Sequence, residues 1–172
     1  MTYETNIDGL KMRYGNRTDI GNTNIAKHTE DSIIRELVVD WEYNNLPAFD
    51  QDAGGGSTND SFSSAVAFIP AGAHIVSANT YIKTAFAGGT TYDMGLYQRG
   101  GTVIDADGID AAVALAAMDA DGDMVVNDGA MVAPTAGANT TAYDAYFVVA
   151  ATGTYTAGKA RTVIRFVPPR AA

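Results

Sequence analysis

SIIRELVVDWEY, residues 32–43, decides how this chain is read. Ile33, Leu37, Val39, Trp41 and Tyr43 share one parity, interrupted by Arg35, while Glu36, Asp40 and Glu42 share the other. Successive side chains of a strand point to opposite sides of the pleat, so a period of two marks a strand with one buried and one wet face. Trp41, the single Trp among 172 residues, lies on the apolar parity and is expected in the core.

Upstream of this strand the character changes. Residues 1–31 carry 4 Lys/Arg against 5 Asp/Glu, and the remaining residues carry 7 against 15. The leader spaces single apolar residues widely, with no repeat at 2 or 3.6, and intersperses Asn and Gly. Such a segment builds no core of its own. Residues 1–31 are therefore expected to form an extended N-terminal arm and residues 32–172 a separate body. The arm either folds back on its own body or lies along neighbouring subunits; Tyr3, Ile7, Leu10, Met12 and Tyr14 are its candidate partner-binding anchors.

Downstream, short alternating runs follow one another between Gly, Asp and Thr. Phe62, Val66 and Phe68 line a second strand after a long Gly-rich loop at 44–61. Val76, Ala78, Thr80, Ile82, Thr84 and Phe86 share a face of a third, and Tyr92, Met94 and Leu96 share a face of a fourth. Residues 102–104, 124–126, 130–132, 145–151 and 161–167 complete the strand pattern. The Ala-rich stretch IDAAVALAAM, 109–118, is the single plausible helix. Eight or nine strands with turn residues at regular spacing predict an all-β fold, a jelly-roll-like β-sandwich.

Composition excludes several classes. The chain has no Cys, so disulfides and thiolate metal sites are absent. A net charge of −9 is the wrong sign for gripping a nucleic-acid backbone. No apolar run approaches the roughly 20 residues that span a bilayer, and the N-terminus lacks a charged-then-apolar signal pattern. The expectation is no nucleic-acid partner and no membrane.

The chemistry-bearing motifs fail on inspection. GTYTAGKA at 153–160 nearly matches a phosphate-binding loop, but Ala160 stands where the magnesium-holding Ser/Thr belongs, and a strand pattern follows instead of a helix. Asp105, Asp107 and Asp110, and then Asp119, Asp121, Asp123 and Asp128, resemble calcium loops. Counted from Asp119, however, the positions needing Gly and Glu hold Met124 and Ala130. Turn-forming aspartates are the simpler reading, with 16 Asp against 4 Glu. His28 and His74 have no ligand-spaced neighbours. No nucleophile motif is present, and paired carboxylates would have to assemble in space. The sequons at Asn16, Asn59 and Asn139 are read as chance. Arg161 and Arg165 share the outer face of the last strand, opposite Thr162, Ile164 and Phe166, and form either a plain exposed face or a basic stripe for an acidic neighbour. The chain is expected to be no enzyme and to need no cofactor.

Three stretches of the body, IPAGAHIVSANTYIKTAFAGGTTYDMGLY (69–97), GTVIDADGIDAAVALAAMDADGD (101–123) and DAYFVVAATGTYTAGKARTVIRFV (144–167), resemble small β-sandwich proteins of tailed bacteriophage virions, notably head decoration (cement) proteins. The resemblance covers the body and not the arm. It implies a jelly-roll-like subunit, often trimeric, on the outer surface of an icosahedral shell, with the major capsid protein as partner. It implies localisation on a virion assembled in the host cytoplasm, and it carries over no catalytic residues. Two other readings stand beside it. One is another virion component, such as a head fibre base, tail or adaptor subunit. The other is a carbohydrate-binding module using Tyr92, Tyr97, Tyr143 and Tyr155 as an aromatic platform.

Overall fold

The computed structural model describes residues 34–47, 68–98, 101–132 and 141–169, together with the backbone of residues 5–6 and 9–10. The chain divides into two compact units, Met1–Ile33 and Ile34–Ala172. In the first, β1 (Thr5–Asn6) pairs antiparallel with β2 (Gly9–Leu10), Thr5 opposite Leu10. The rest of the expected arm lies outside the described residues.

The second unit holds seven strands among its described residues: β3 (Arg35–Glu42), β4 (His74–Gly88), β5 (Thr91–Tyr97), β6 (Val103–Ala114), β7 (Met124–Asn127), β8 (Tyr146–Thr152) and β9 (Tyr155–Val167). They form two antiparallel sheets, ordered β3-β9-β4-β7 and β6-β5-β8. Consecutive strands pass from one sheet to the other at β4–β5, β6–β7, β7–β8 and β8–β9. This order makes the unit an all-β sandwich of jelly-roll type. The eighth jelly-roll place lies beside β8, where Ile69 and Ala145 exchange two 2.8 Å backbone hydrogen bonds. The strand expected at 62–68 would lead into that place; of it, only Phe68 is among the described residues.

The core forms where the inward parities of the two sheets meet. Leu37, Val39 and Trp41 of β3 are buried, as their alternation predicts, and face Tyr92, Met94, Leu96, Phe147 and Val149. Trp41 lies 5.2 Å, ring to ring, from both Phe86 and Tyr92. Burying an aromatic of this size contributes on the order of 3 kcal/mol.

Two expectations are corrected. Val76 and Thr84 are exposed, because β4 carries bulges between Ile75 and Ser77 and between Ile82 and Thr84, each adding a residue that shifts the parity. The stretch 109–118 is not a helix. Its first six residues continue β6, with Val113 opposite Tyr92 and Ala114 opposite Thr91, and only Leu115–Ala117 make a 3-10 turn. A helix of this length is marginal alone, whereas β5 offers a ready ladder of backbone partners.

Candidate functional site

The outward side chains of the four-stranded sheet make an organised surface. β3 contributes Glu36, Val38, Asp40 and Glu42, and β9 contributes Arg165, Val163, Arg161 and Lys159 directly opposite them. Each acid meets a base. Arg165 Nε lies 2.8 Å from Glu36, and Lys159 Nζ lies 2.8 Å from Glu42. Arg161 grips both oxygens of Asp40, with Nε at 2.9 Å and Nη2 at 2.7 Å. Lys83 reaches Asp40 from β4 at 2.6 Å. The Arg161 guanidinium, then Lys83, hold the Asp40 carboxyl down at about 2, against partial desolvation. The same contact raises the pKa of Arg161. The exposed-face reading of Arg161 and Arg165 therefore holds, and the free basic stripe does not: β3 supplies the counter-charges.

Between and beside these pairs lie apolar side chains. Among the described residues, five of the eight exposed large hydrophobic ones belong to this face: Val38, Val76, Tyr81, Met124 and Val126. Val126 and Met124, the outward residues of β7, are 64 % and 53 % exposed. The three acids and four bases leave the face at +1 on a chain of net −9. The outward side of the other sheet differs. Tyr146 and Val148 are buried there, and the Tyr146 ring lies 5.7 Å from Phe68. The signal for this surface in the sequence is Val38, a lone apolar residue on the charged parity of β3.

A second feature runs through the interior. Trp41 Nε1 donates to Thr162 Oγ1 at 3.0 Å, and Thr162 and Thr80 share a hydroxyl–hydroxyl bond of 2.9 Å. Thr80 donates to Asn127 Oδ1 at 3.0 Å, and Asn127 Nδ2 donates to Asp110 at 2.9 Å. The chain crosses β3, β9, β4 and β7 in spatial order and ends on β6 of the opposite sheet. Burial raises the Asp110 pKa, and the charge of Asp128 adds to it, against the hydrogen bonds from Asn127 and Ala111.

The other candidate residues disperse. Asp121, Asp123, Asp93 and Asp144 accept main-chain N–H groups of Ala85, Ala120, Ala112 and Ala71 at 2.6–3.1 Å, as turn-forming carboxylates do. Among the described residues no three acidic or His side chains converge on one point. A cleft of about 170 Å³ brings Asp40 and Glu42 together, but both are ion-paired, and Asp40 is pushed away from the raised pKa a general acid needs. GTYTAGKA is the β8–β9 turn and the start of β9, with Gly158 and Ala160 buried. The aromatic platform fails at two of its four members: Tyr92 and Tyr155 are buried and stacked on each other at 4.2 Å. Tyr3, Ile7, Met12 and Tyr14, His28 and the three sequons lie outside the described residues; of Leu10 only the backbone, paired in β2, is described.

No protein-family model matches the chain, and no curated protein sequence does. Among solved structures, a chain of the cyanophage Pam1 capsid asymmetric unit is similar at 14 % identity and a TM-score of 0.48, over 87 % of this chain and 95 % of that one.

Proposed function

We propose that this is a structural virion protein that binds the outer surface of an icosahedral shell between capsomers and stabilises it. The observation that carries the reading is the outer face of the β3-β9-β4-β7 sheet, where charges are mutually satisfied and apolar side chains cluster. Such a face suits lasting contact with protein: its ion pairs bring little unpaired charge to desolvate, and its apolar residues gain by burial. The sequence resemblance of residues 69–167 to head decoration proteins points the same way. In this reading the partner is the major capsid protein, the subunits gather into homotrimers only once seated on the shell, and no cofactor or catalytic residue is involved. Residues 1–31 act as an arm that reaches along the shell with Tyr3, Ile7, Leu10, Met12 and Tyr14 as anchors. Many shallow contacts repeated across a lattice then add up to tight binding.

Cryo-electron microscopy of particles carrying the protein tests the reading. The expected result is density repeated over the shell surface, lost when residues 2–25 are deleted although the body still folds. Density confined to a portal or tail would move the protein to an adaptor role. Truncated protein that still saturates shells would remove the arm from the account.

A further inference from the structure

The two sheets present four edges, and charge separates them. β3 carries Glu36, Asp40 and Glu42 outward, and its end is bridged by Asn45. β6 carries Asp105, Asp107 and Asp110, and its pairing with β5 shifts register three times. β8 is already met by Ile69 at Ala145 and by Pro47, whose carbonyl accepts from Val149 at 2.9 Å. β7, like β8, is free of charge, proline and register shift, but among the described residues no strand or bridging backbone contact lies beyond it. Native edges are protected by those devices. β7 instead exposes the side chains of Met124 and Val126.

We propose that two copies of this chain join edge to edge through β7, antiparallel about Val125, so that the two four-stranded sheets become one continuous sheet of eight. Strand pairing keeps inward and outward parities matched only in alternate registers. In the register centred on Val125, Met124 of each copy lies opposite Val126 of the other, and the two Val125 residues face each other. Asp123 then lies opposite Asn127, so no acid meets an acid directly. The four outward side chains close into an apolar cluster flanked by Tyr81, which pairs with Met124 within each copy. Charge also selects the occupant. Two chains of net −9 repel at most orientations. The face adjoining β7 is the +1 surface, and in this register a second copy brings the same uncharged edge to it. The contact is isologous, as a twofold requires. A four-residue strand buries far less than the roughly 1,200 Å² of a small standard interface, so the dimer is weak in dilute solution and populated where copies are crowded together.

Sedimentation equilibrium of the full chain, from micromolar to millimolar, tests this without any shell. Wild type is expected to rise from monomer toward dimer mass. Val126→Lys and Met124→Lys, both at exposed positions, should each weaken the association at least tenfold while leaving the circular dichroism melt unchanged. Val103→Lys, on the β6 edge, should leave it as in wild type. A wild type that stays monomeric throughout would overturn the proposal, as would association that survives both β7 substitutions or is abolished by Val38→Lys alone, which would assign it to the sheet face. Because no particle enters the experiment, its failure leaves the shell-binding reading standing, and failure of that reading leaves this one standing.

Discussion

Trp41 Nε1 and Thr162 Oγ1, 3.0 Å apart and both buried, tie β3 to β9 from inside the sandwich. The direction of the chain is set from its far end. Asn127 Nδ2 donates to Asp110, Asn127 Oδ1 therefore accepts the single hydroxyl hydrogen of Thr80, and Thr162, which accepts from the indole, donates its own hydrogen to Thr80. A carboxylate, which only accepts, is the proper terminus. Thr162→Val keeps the shape and removes the first two links. It leaves a buried indole N–H without an acceptor, a cost of about 1–3 kcal/mol. Urea unfolding followed by the fluorescence of Trp41 should show the midpoint falling accordingly. A variant as stable as wild type would mean the chain contributes nothing net.

Asp110 closes that chain at a cost in desolvation. Its folded pKa is raised above the unfolded value, chiefly by burial and then by Asp128, so the folded state binds this proton more tightly than the unfolded one. The stability it contributes is therefore fully present below the ordinary carboxylate range. It is lost as pH rises from about 4 through the raised folded value. Asp110→Asn cannot titrate. The stability difference between variant and wild type should thus shift in the variant's favour as pH rises from 3 to 7, read as paired urea midpoints. A difference that is flat with pH would show that Asp110 has the same affinity for its proton in both states.

How much of this was legible beforehand depends on the element. The alternation of β3 located Leu37, Val39 and Trp41 correctly, because that strand pairs with β9 without a register shift. Val76 and Thr84 defeated the same logic, since a bulge leaves no mark in a local pattern. Residues 109–118 were ambiguous for another reason: Ile109 and Val113, four apart, fit one face of a helix as well as a kinked strand. Thr80 and Thr162 sat on inward parities in the sequence, yet nothing there placed Asn127 and Asp110 beside them, because those contacts span up to 47 residues. The outer surface was half visible. The acids of β3 and bases of β9 were plain, but their one-to-one pairing needs the register.

Tyr92 illustrates a cost the sandwich tolerates. Its hydroxyl is buried with no hydrogen-bond partner among the described residues, and burial, with Tyr155 beside it, pushes its pKa up. An unsatisfied buried hydroxyl costs about 1–3 kcal/mol of desolvation, while the ring itself packs against Trp41, Phe86 and Tyr155. Tyr92→Phe keeps the ring and deletes the oxygen, so it should be neutral or raise the melting temperature. A loss of several degrees would reveal a partner for that hydroxyl.

Asp40 should behave in the opposite sense to Asp110. Its folded pKa lies at about 2, below the 3.8 of the free group, because Arg161 and Lys83 favour the ionised form. The stability it contributes is present above pH 4 and disappears as pH falls through about 2. Roughly half of the side chain is exposed, 52 %, so solvent and salt screen the pair, and its worth is about 1 kcal/mol or less. Asp40→Asn should therefore be slightly less stable than wild type at pH 6 and indistinguishable from it near pH 2. The gap at pH 6 should narrow in 1 M salt, where the screening length falls to about 3 Å. A gap that persists at pH 2, or ignores salt, would assign the effect of Asp40 to packing and not to the ion pair with Arg161.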